Sequence, residues 1–226
     1  MNTTSRGAAT RRRILDAAAE LTYKNGVNGT SVDDVLKASG TGKSQFYHYF
    51  ASKEALVKEL IAYHLDHSPG LAALALDTGD LSSRAGFEAW LTRIVQAHRD
   101  GHFSGGCPIG NLAAELSGQS DHLREDLQAV FAKWEDDLSR GFEQMKLKGL
   151  LRQDAQAARL ALFCVAALQG GLLLAKTERS AEPLAAAAAE LIAYVKMLAV
   201  GASAQPKKGF GYPLKGPRPL KVGFCP

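Results

Sequence analysis

Lys43, Ser44, Gln45, Tyr47 and His48 place five hydrogen-bonding side chains within one short stretch of the segment T-S-V-D-D-V-L-K-A-S-G-T-G-K-S-Q-F-Y-H-Y-F-A-S-K-E-A-L, which runs from Thr30 to Leu56. Ammonium, hydroxyl and imidazole groups donate to phosphate oxygens, and a glutamine amide pairs with adenine N6 and N7. The set therefore has the chemistry of a surface that reads double-stranded DNA, with Gln45 the best candidate for direct base readout. Phe46 and Phe50, four residues apart, fall on one side of the same helix and can anchor it from behind. Tyr47 is rotated by about 100° from Phe46 and cannot share that anchor position. Lys53 sits in the first turn of the following helix, where a cation opposes the helix dipole. A DNA phosphate at that helix end would give both the ammonium and the free amides a partner; the alternative is that Lys53 points into solvent.

These side chains need a frame that presents one short helix to a groove. The spacing predicts a helix over about 10–24 that stops at Asn25-Gly26, and a second helix opened by Ser31 with Asp34 as a capping-box acid. A turn at Ser39-Gly40 leads to a recognition helix over about 42–49. Ser52 then opens a helix reaching about His67, where Ser68-Pro69-Gly70 breaks it. Apolar residues recurring at three and four predict further helices near 81–101, 107–117, 121–147, 155–176 and 182–199. The expected fold is all-α.

With that layout in place, the chain resembles the TetR/AcrR family of one-component transcriptional regulators. Thr30, Ser31, Val32, Val35, Gly40, Phe46, Tyr47, Tyr49, Phe50, Ser52, Lys53, Glu54 and Leu56 carry the likeness without a gap. It implies a helix-turn-helix domain over 1–67 and a helical ligand-binding and dimerisation domain over 68–200. It also implies operator DNA, a small-molecule inducer and a second copy of the chain as partners, with no cofactor. Residue by residue, it puts Ser31, Tyr47, His48 and Lys53 on phosphates and Lys43, Ser44 and Gln45 nearest the base edges. Thr41 and Gly42 depart from the pattern, which moves the expected cap of the recognition helix to Thr41.

Charge is partitioned in the same sense. Residues 1–60 hold nine Lys and Arg against six Asp and Glu, residues 61–200 hold thirteen against seventeen, and residues 201–226 hold five against none. A basic N-terminal module on an acidic body suits a polyanion bound at one end. Cys107, Cys164 and Cys225 are too few for a disulfide framework and lack metal-binding spacing, so a reducing, cytoplasmic setting is expected, with no metal. The uncharged run from Leu160 to Ala175 is shorter than the roughly 20 residues of a spanning helix, so no membrane is expected. Five of the eight prolines follow residue 205, which predicts a flexible basic tail over 201–226.

The middle of the chain mixes large apolar residues with isolated amides, as a small-molecule pocket requires. Phe103, Cys107, Asn111, Trp134, Phe163 and Gln169 are the candidate ligand residues. The alternative for any one of them is plain core. Pro108 at a first helical position would put Cys107 at the N-cap, where the dipole favours a thiolate and burial opposes it, so the sign of its pKa shift stays open. The Ala-, Leu- and Gly-rich segments 160–175 and 184–199 are the expected dimer surface, with an internal helix pair as the alternative. Two other functions stay in view: a DNA-binding protein of this fold without an inducer, and an enzyme pairing Cys107 with His98 or His102. No orienting group or oxyanion hole supports the enzyme, and no catalytic residue is assigned.

Overall fold

A computed structural model describes residues 5–74 and 80–201. Among these the chain forms ten α-helices, one short 3₁₀ turn and no strand. They are α1 (Ser5–Asn25), α2 (Val32–Ser39), α3 (Lys43–Tyr49), α4 (Lys53–His67), α5 (Pro69–Leu74), α6 (Arg84–Arg99), α7 (Pro108–Leu116), α8 (Asp121–Leu147), α9 (Ala157–Glu178) and α10 (Glu182–Met197). The tail expected over 201–226 lies outside the described residues beyond Gly201.

Serine opens helix after helix. Ser31, Ser52, Ser83 and Ser120 each accept the amide of the residue three positions on, which satisfies a donor that the helix itself leaves free. At Ser31 the expected box is complete: its Oγ accepts the Asp34 N–H at 3.1 Å, and the Asp34 carboxylate accepts the Ser31 N–H at 2.9 Å. Two expectations need correction. Ser68-Pro69-Gly70 does more than break a helix, because Pro69 stands at the first position of α5, where its fixed φ suits helix entry. Thr41 does not cap α3 either: Gly42 is the N-cap, and the Thr41 hydroxyl meets Ser39 Oγ at 2.7 Å.

Two apolar clusters result. The smaller joins Ile14, Leu15 and Ala18 of α1 to Val35, Leu36, Phe46, Phe50, Leu56 and Leu60. The larger spans α5 to α10 and also takes Val57 and Ile61, so neighbouring faces of α4 serve both. Close approaches fix the larger cluster. A Cβ on Gly70 would fall 2.7 Å from Phe103 Cε1 and 2.9 Å from the His102 carbonyl, and one on Gly171 would fall 3.1 Å from Leu184 Cα.

His64 is the unexpected member of this seam. It follows Val57 and Ile61 on α4, is only 7% exposed, and burial pushes its imidazole pKa down to about 4. The unfolded chain takes a proton near pH 6.5 while the folded chain resists it down to about 4, so stability is lost as pH falls through that window. We expect His64→Leu to lose less stability than wild type between pH 7 and pH 4, by up to about 3 kcal/mol in chemical denaturation. Parallel pH profiles would contradict this. Gly70→Ala should cost about 1–3 kcal/mol because backbone blocks the new methyl, whereas Gly118→Ala, with nothing within 4 Å, should be near neutral. Equal denaturation midpoints would refute that contrast.

Candidate nucleic-acid interface and inner cavity

A seven-residue helix cannot hold itself together in water, and α3 depends on what lies behind it. Phe46 and Phe50 are 0% and 1% exposed, with ring centroids 5.6 Å apart, and they pin α3 onto α1 and α4. The opposite side carries Lys43, Ser44, Gln45, Tyr47 and His48, all exposed, with Tyr47 at 56%. A single open aromatic is ordinary on a surface, but beside a row of donors it offers a partner both ring contact and hydrogen bonds.

The row is partly committed within the domain. Lys43 Nζ lies 3.3 Å from Asp33, and Gln45 Oε1 accepts the Gly42 N–H at 3.2 Å, the one half of a capping box that a glycine N-cap can form, which leaves the Gln45 amide donors free. Ser31 Oγ donates to Asp34 at 2.6 Å. Lys53 neither opposes the dipole unaided nor points freely to solvent: its Nζ donates to the Val27 carbonyl at 2.6 Å, tying α4 to the loop between α1 and α2.

The six ligand candidates do not form one site. Trp134 and Gln169 line a cavity of about 20 Å³ with Trp90, Leu138 and Val165, room for about one water. Cys107 belongs with Gln169, which hydrogen-bonds its sulfur, while Sγ also accepts the Gly110 N–H at 3.4 Å. Asn111 Nδ2 donates to the Gly105 carbonyl at 2.7 Å, beside Lys176. Phe103 stands apart, fully buried against Gly70. Phe163 is separated from the cavity as well, since it is 48% exposed on α9 and packs edge-on to Tyr194.

Cys107 does cap α7, but at 3% exposure burial outweighs its hydrogen bonds and raises the thiol pKa. Cys164 is pushed up to about 12 by the same cause. Beside the inner cavity, sharing Leu74 and Trp134 with it, runs an open groove of about 520 Å³ between the end of α4, α5 and the middle of α8. In it Asp137, 7% exposed, is held by Lys133 at 2.8 Å and by Arg140. Sequence reasoning missed Asp137; Tyr23, whose O–H donates to the Gly106 carbonyl at 2.9 Å; and Glu115, whose carboxylate accepts the Val27 N–H at 2.8 Å and the Asn28 N–H at 2.5 Å. Glu115 alone left a signal, being an acid in the last turn of a helix where the dipole disfavours it.

The α9–α10 pair has apolar residues on both sides. α9 is long and apolar enough to cross a membrane by length and composition, yet its inner face packs between α8 and α10. Its outer face leaves Leu162, Phe163, Leu173 and Leu174 exposed, and Tyr194 and Met197 of α10 extend the same patch.

Comparison with known proteins agrees with this arrangement. Residues 14–60 match the family described as bacterial regulatory proteins, tetR family, and residues 83–190 match the LmrA/YxaF-like C-terminal domain of transcriptional regulators. An HTH-type transcriptional regulator from the lacX 3' region of Lactococcus lactis subsp. lactis is 34% identical over 168 residues, covering 74% of this chain and 83% of the relative. The HTH-type transcriptional repressor DhaR of Mycobacterium sp. (strain GP1) is 28% identical over 174 residues, covering 77% of this chain and 86% of that protein. A TetR transcriptional regulator of Chloroflexus aurantiacus J-10-FL superposes with a TM-score of 0.74 at 28% identity, covering 87% of this chain and 98% of that one. An all-helical fold, a reading helix with its polar side open and a sustained identity to such regulators carry one conclusion: the chain belongs to the TetR family of DNA-binding transcriptional regulators.

Proposed function

We propose that this regulator is a cytoplasmic homodimeric repressor that leaves its operator when a small molecule enters the C-terminal domain. The observation that carries the DNA reading is the open row on α3 backed by buried Phe46 and Phe50. Tyr47 and His48 reach phosphates from this row, and Lys43, Ser44 and Gln45 reach base edges. Lys53 keeps two ammonium protons for a phosphate while its third holds Val27. Ser31 can accept a phosphate contact only by sharing its hydroxyl with Asp34. The repressor sign rests on similarity to DhaR, which is named a repressor. The helix-turn-helix domain spans 1–67, where α4 follows the first three helices, and the effector and dimer domain spans 68–200.

For the effector, the groove beside Trp134 supplies volume and the cavity behind it supplies a route inward. A ligand that swings Trp134 aside would merge the two into a space within the usual range of about 300–1,000 Å³. Trp134, Gln169, Asn111 and Cys107 then form or flank its wall. Phe103 supports the wall from the core, and Phe163 serves the dimer surface instead. Cys107 acts there as a buried neutral thiol, without nucleophilic catalysis.

For the dimer, a short recognition helix reads only a few base pairs, so a second copy about one turn of DNA away is the ordinary route to affinity. The patch on α9 and α10 is the surface to pair, because a protomer rarely leaves so many large apolar side chains in water.

Three outcomes are expected. Tyr47→Phe should weaken binding to every duplex by about 0.5–1.5 kcal/mol at unchanged melting temperature, whereas Gln45→Ala should relax preference at one base pair per half-site by about 1–3 kcal/mol. Selection from a randomised duplex pool followed by titration separates these, and an identical selected operator for Gln45→Ala would remove it from the base readers. Leu173→Glu should shift sedimentation from dimer to monomer and depress operator binding at least about tenfold. A dimer that survives this change would move the interface elsewhere.

A further inference from the structure

Among the described residues, Asp33 is the one acid paired with a side chain of the reading row 43–48. It stands in the first turn of α2, and its Oδ1 meets Lys43 Nζ at 3.3 Å. The neighbouring Asp34 is occupied otherwise: its carboxylate accepts the Ser31 N–H at 2.9 Å and the Ser31 hydroxyl at 2.6 Å, which completes the box that opens α2. That box needs one acid, so Asp33 has no part in it. With side chains 70% and 72% exposed, the Lys43–Asp33 pair adds little to stability. Beside DNA the carboxylate is also repelled by every nearby phosphate. Neither holding the fold nor attracting DNA at large accounts for an acid here, which leaves contact with the bases.

The rest of the row is weighted towards donors. Lys43 carries an ammonium, and Gln45 spends its Oε1 on the Gly42 N–H, which leaves its NH₂ for a partner. The hydroxyls of Ser44 and Tyr47 serve as donor or acceptor. Asp33 therefore adds a group that only accepts, held close to a group that only donates. The two charges form a fixed donor–acceptor couple at the base-reading end of the row.

A G·C base pair presents the complementary couple. In the major groove guanine shows the N7 and O6 acceptors and cytosine shows the N4–H₂ donor. O6 and N4 are hydrogen-bonded to each other and so stand about 3 Å apart, which matches the 3.3 Å between Lys43 Nζ and Asp33 Oδ1. An ammonium over O6 and N7 brings the carboxylate to the groove-side N4 hydrogen, next to the cytosine C5–H. On an A·T pair the same groups would have to reach thymine O4 and adenine N6. The ammonium would then lose its second acceptor and crowd the thymine methyl, and the carboxylate would lie against the adenine N7 lone pair. We infer that Asp33 is a specificity-determining residue, which with Lys43 reads one G·C base pair in each operator half-site. The inference rests on the operator-binding reading above. By holding the ammonium away from phosphates, Asp33 also lowers affinity for DNA at large and so raises selectivity.

The test compares wild type, Asp33→Ala, Lys43→Ala and Glu125→Gln in the full chain, the last an exposed acid of α8 that controls for net charge. Wild-type selection from a randomised duplex pool supplies the operator. We expect Asp33→Ala and Lys43→Ala to relax preference at the same G·C pair at least about fivefold. On an unrelated duplex Asp33→Ala should bind at least about threefold tighter than Glu125→Gln and lose affinity more steeply with salt, because the released ammonium reaches a phosphate. N4-methylcytosine at the shared pair keeps the pairing hydrogen and replaces the groove hydrogen. It should weaken wild type about fivefold and leave Asp33→Ala unchanged. The methylation measurement on wild type, at the pair found with Lys43→Ala, stands even if Asp33→Ala does not fold. Variants that relax different pairs, a shared pair that is A·T, or a wild type indifferent to methylation would each overturn the assignment. So would an equal loss by Asp33→Ala on operator and unrelated duplex, accompanied by a fall in melting temperature, which would make Asp33 a structural residue. Failure of the wild type to enrich any duplex would instead overturn the operator-binding reading, and this inference with it.

Discussion

Two phenylalanines hold the reading end together. Removing α3 from its neighbours would leave seven residues with no means of staying helical, so the reach of Lys43 to His48 is set by how rigidly Phe46 and Phe50 seat against Ile14, Val35 and Leu60. Arg11 extends this support from α1: its guanidinium lies 5.8 Å from the Phe50 ring centroid and pairs with Glu59 of α4. The polar row is therefore carried by a buried aromatic base. Further ties, the Lys53 ammonium on the Val27 carbonyl and the Glu115 carboxylate on the Val27 and Asn28 amides, hold the loop between α1 and α2.

Much of this was legible in the chain, because local rules wrote it. The two short helices α2 and α3 with the turn between them, the Ser31–Asp34 box, the two anchoring phenylalanines and the order of the later helices follow from spacing within a few residues, and the structure has them. What escaped was long-range. Lys53 looked like a misfit at a helix start because its partner, the Val27 carbonyl, stands 26 positions away. Glu115 meets amides 87 and 88 positions away, which no periodicity encodes. Pro69 read as an end when it is a beginning, since the same fixed φ serves both.

The C-terminal half was legible only as composition. Aromatic residues with interspersed amides announce a pocket in general, but whether Trp134, Phe103 and Phe163 face the same space depends on helix rotation. Only Trp134 lines the inner cavity; Phe103 closes on Gly70 and Phe163 turns outward to Tyr194. For Cys107, the opposing influences of helix end and burial could be named from the sequence but not ranked. At 3% exposure the ranking is clear, and the thiol keeps its proton.

α9 has no side suited to water. One face packs between α8 and α10 and the other carries Leu162, Phe163, Leu173 and Leu174. A helix apolar on both faces is at rest only when both are covered. If a second copy supplies the outer cover, the stability of one protomer and the number of protomers in the cell become a single quantity. Dilution would then act on this regulator as a mild denaturant, and a newly made chain would remain a client for chaperones until it met its twin.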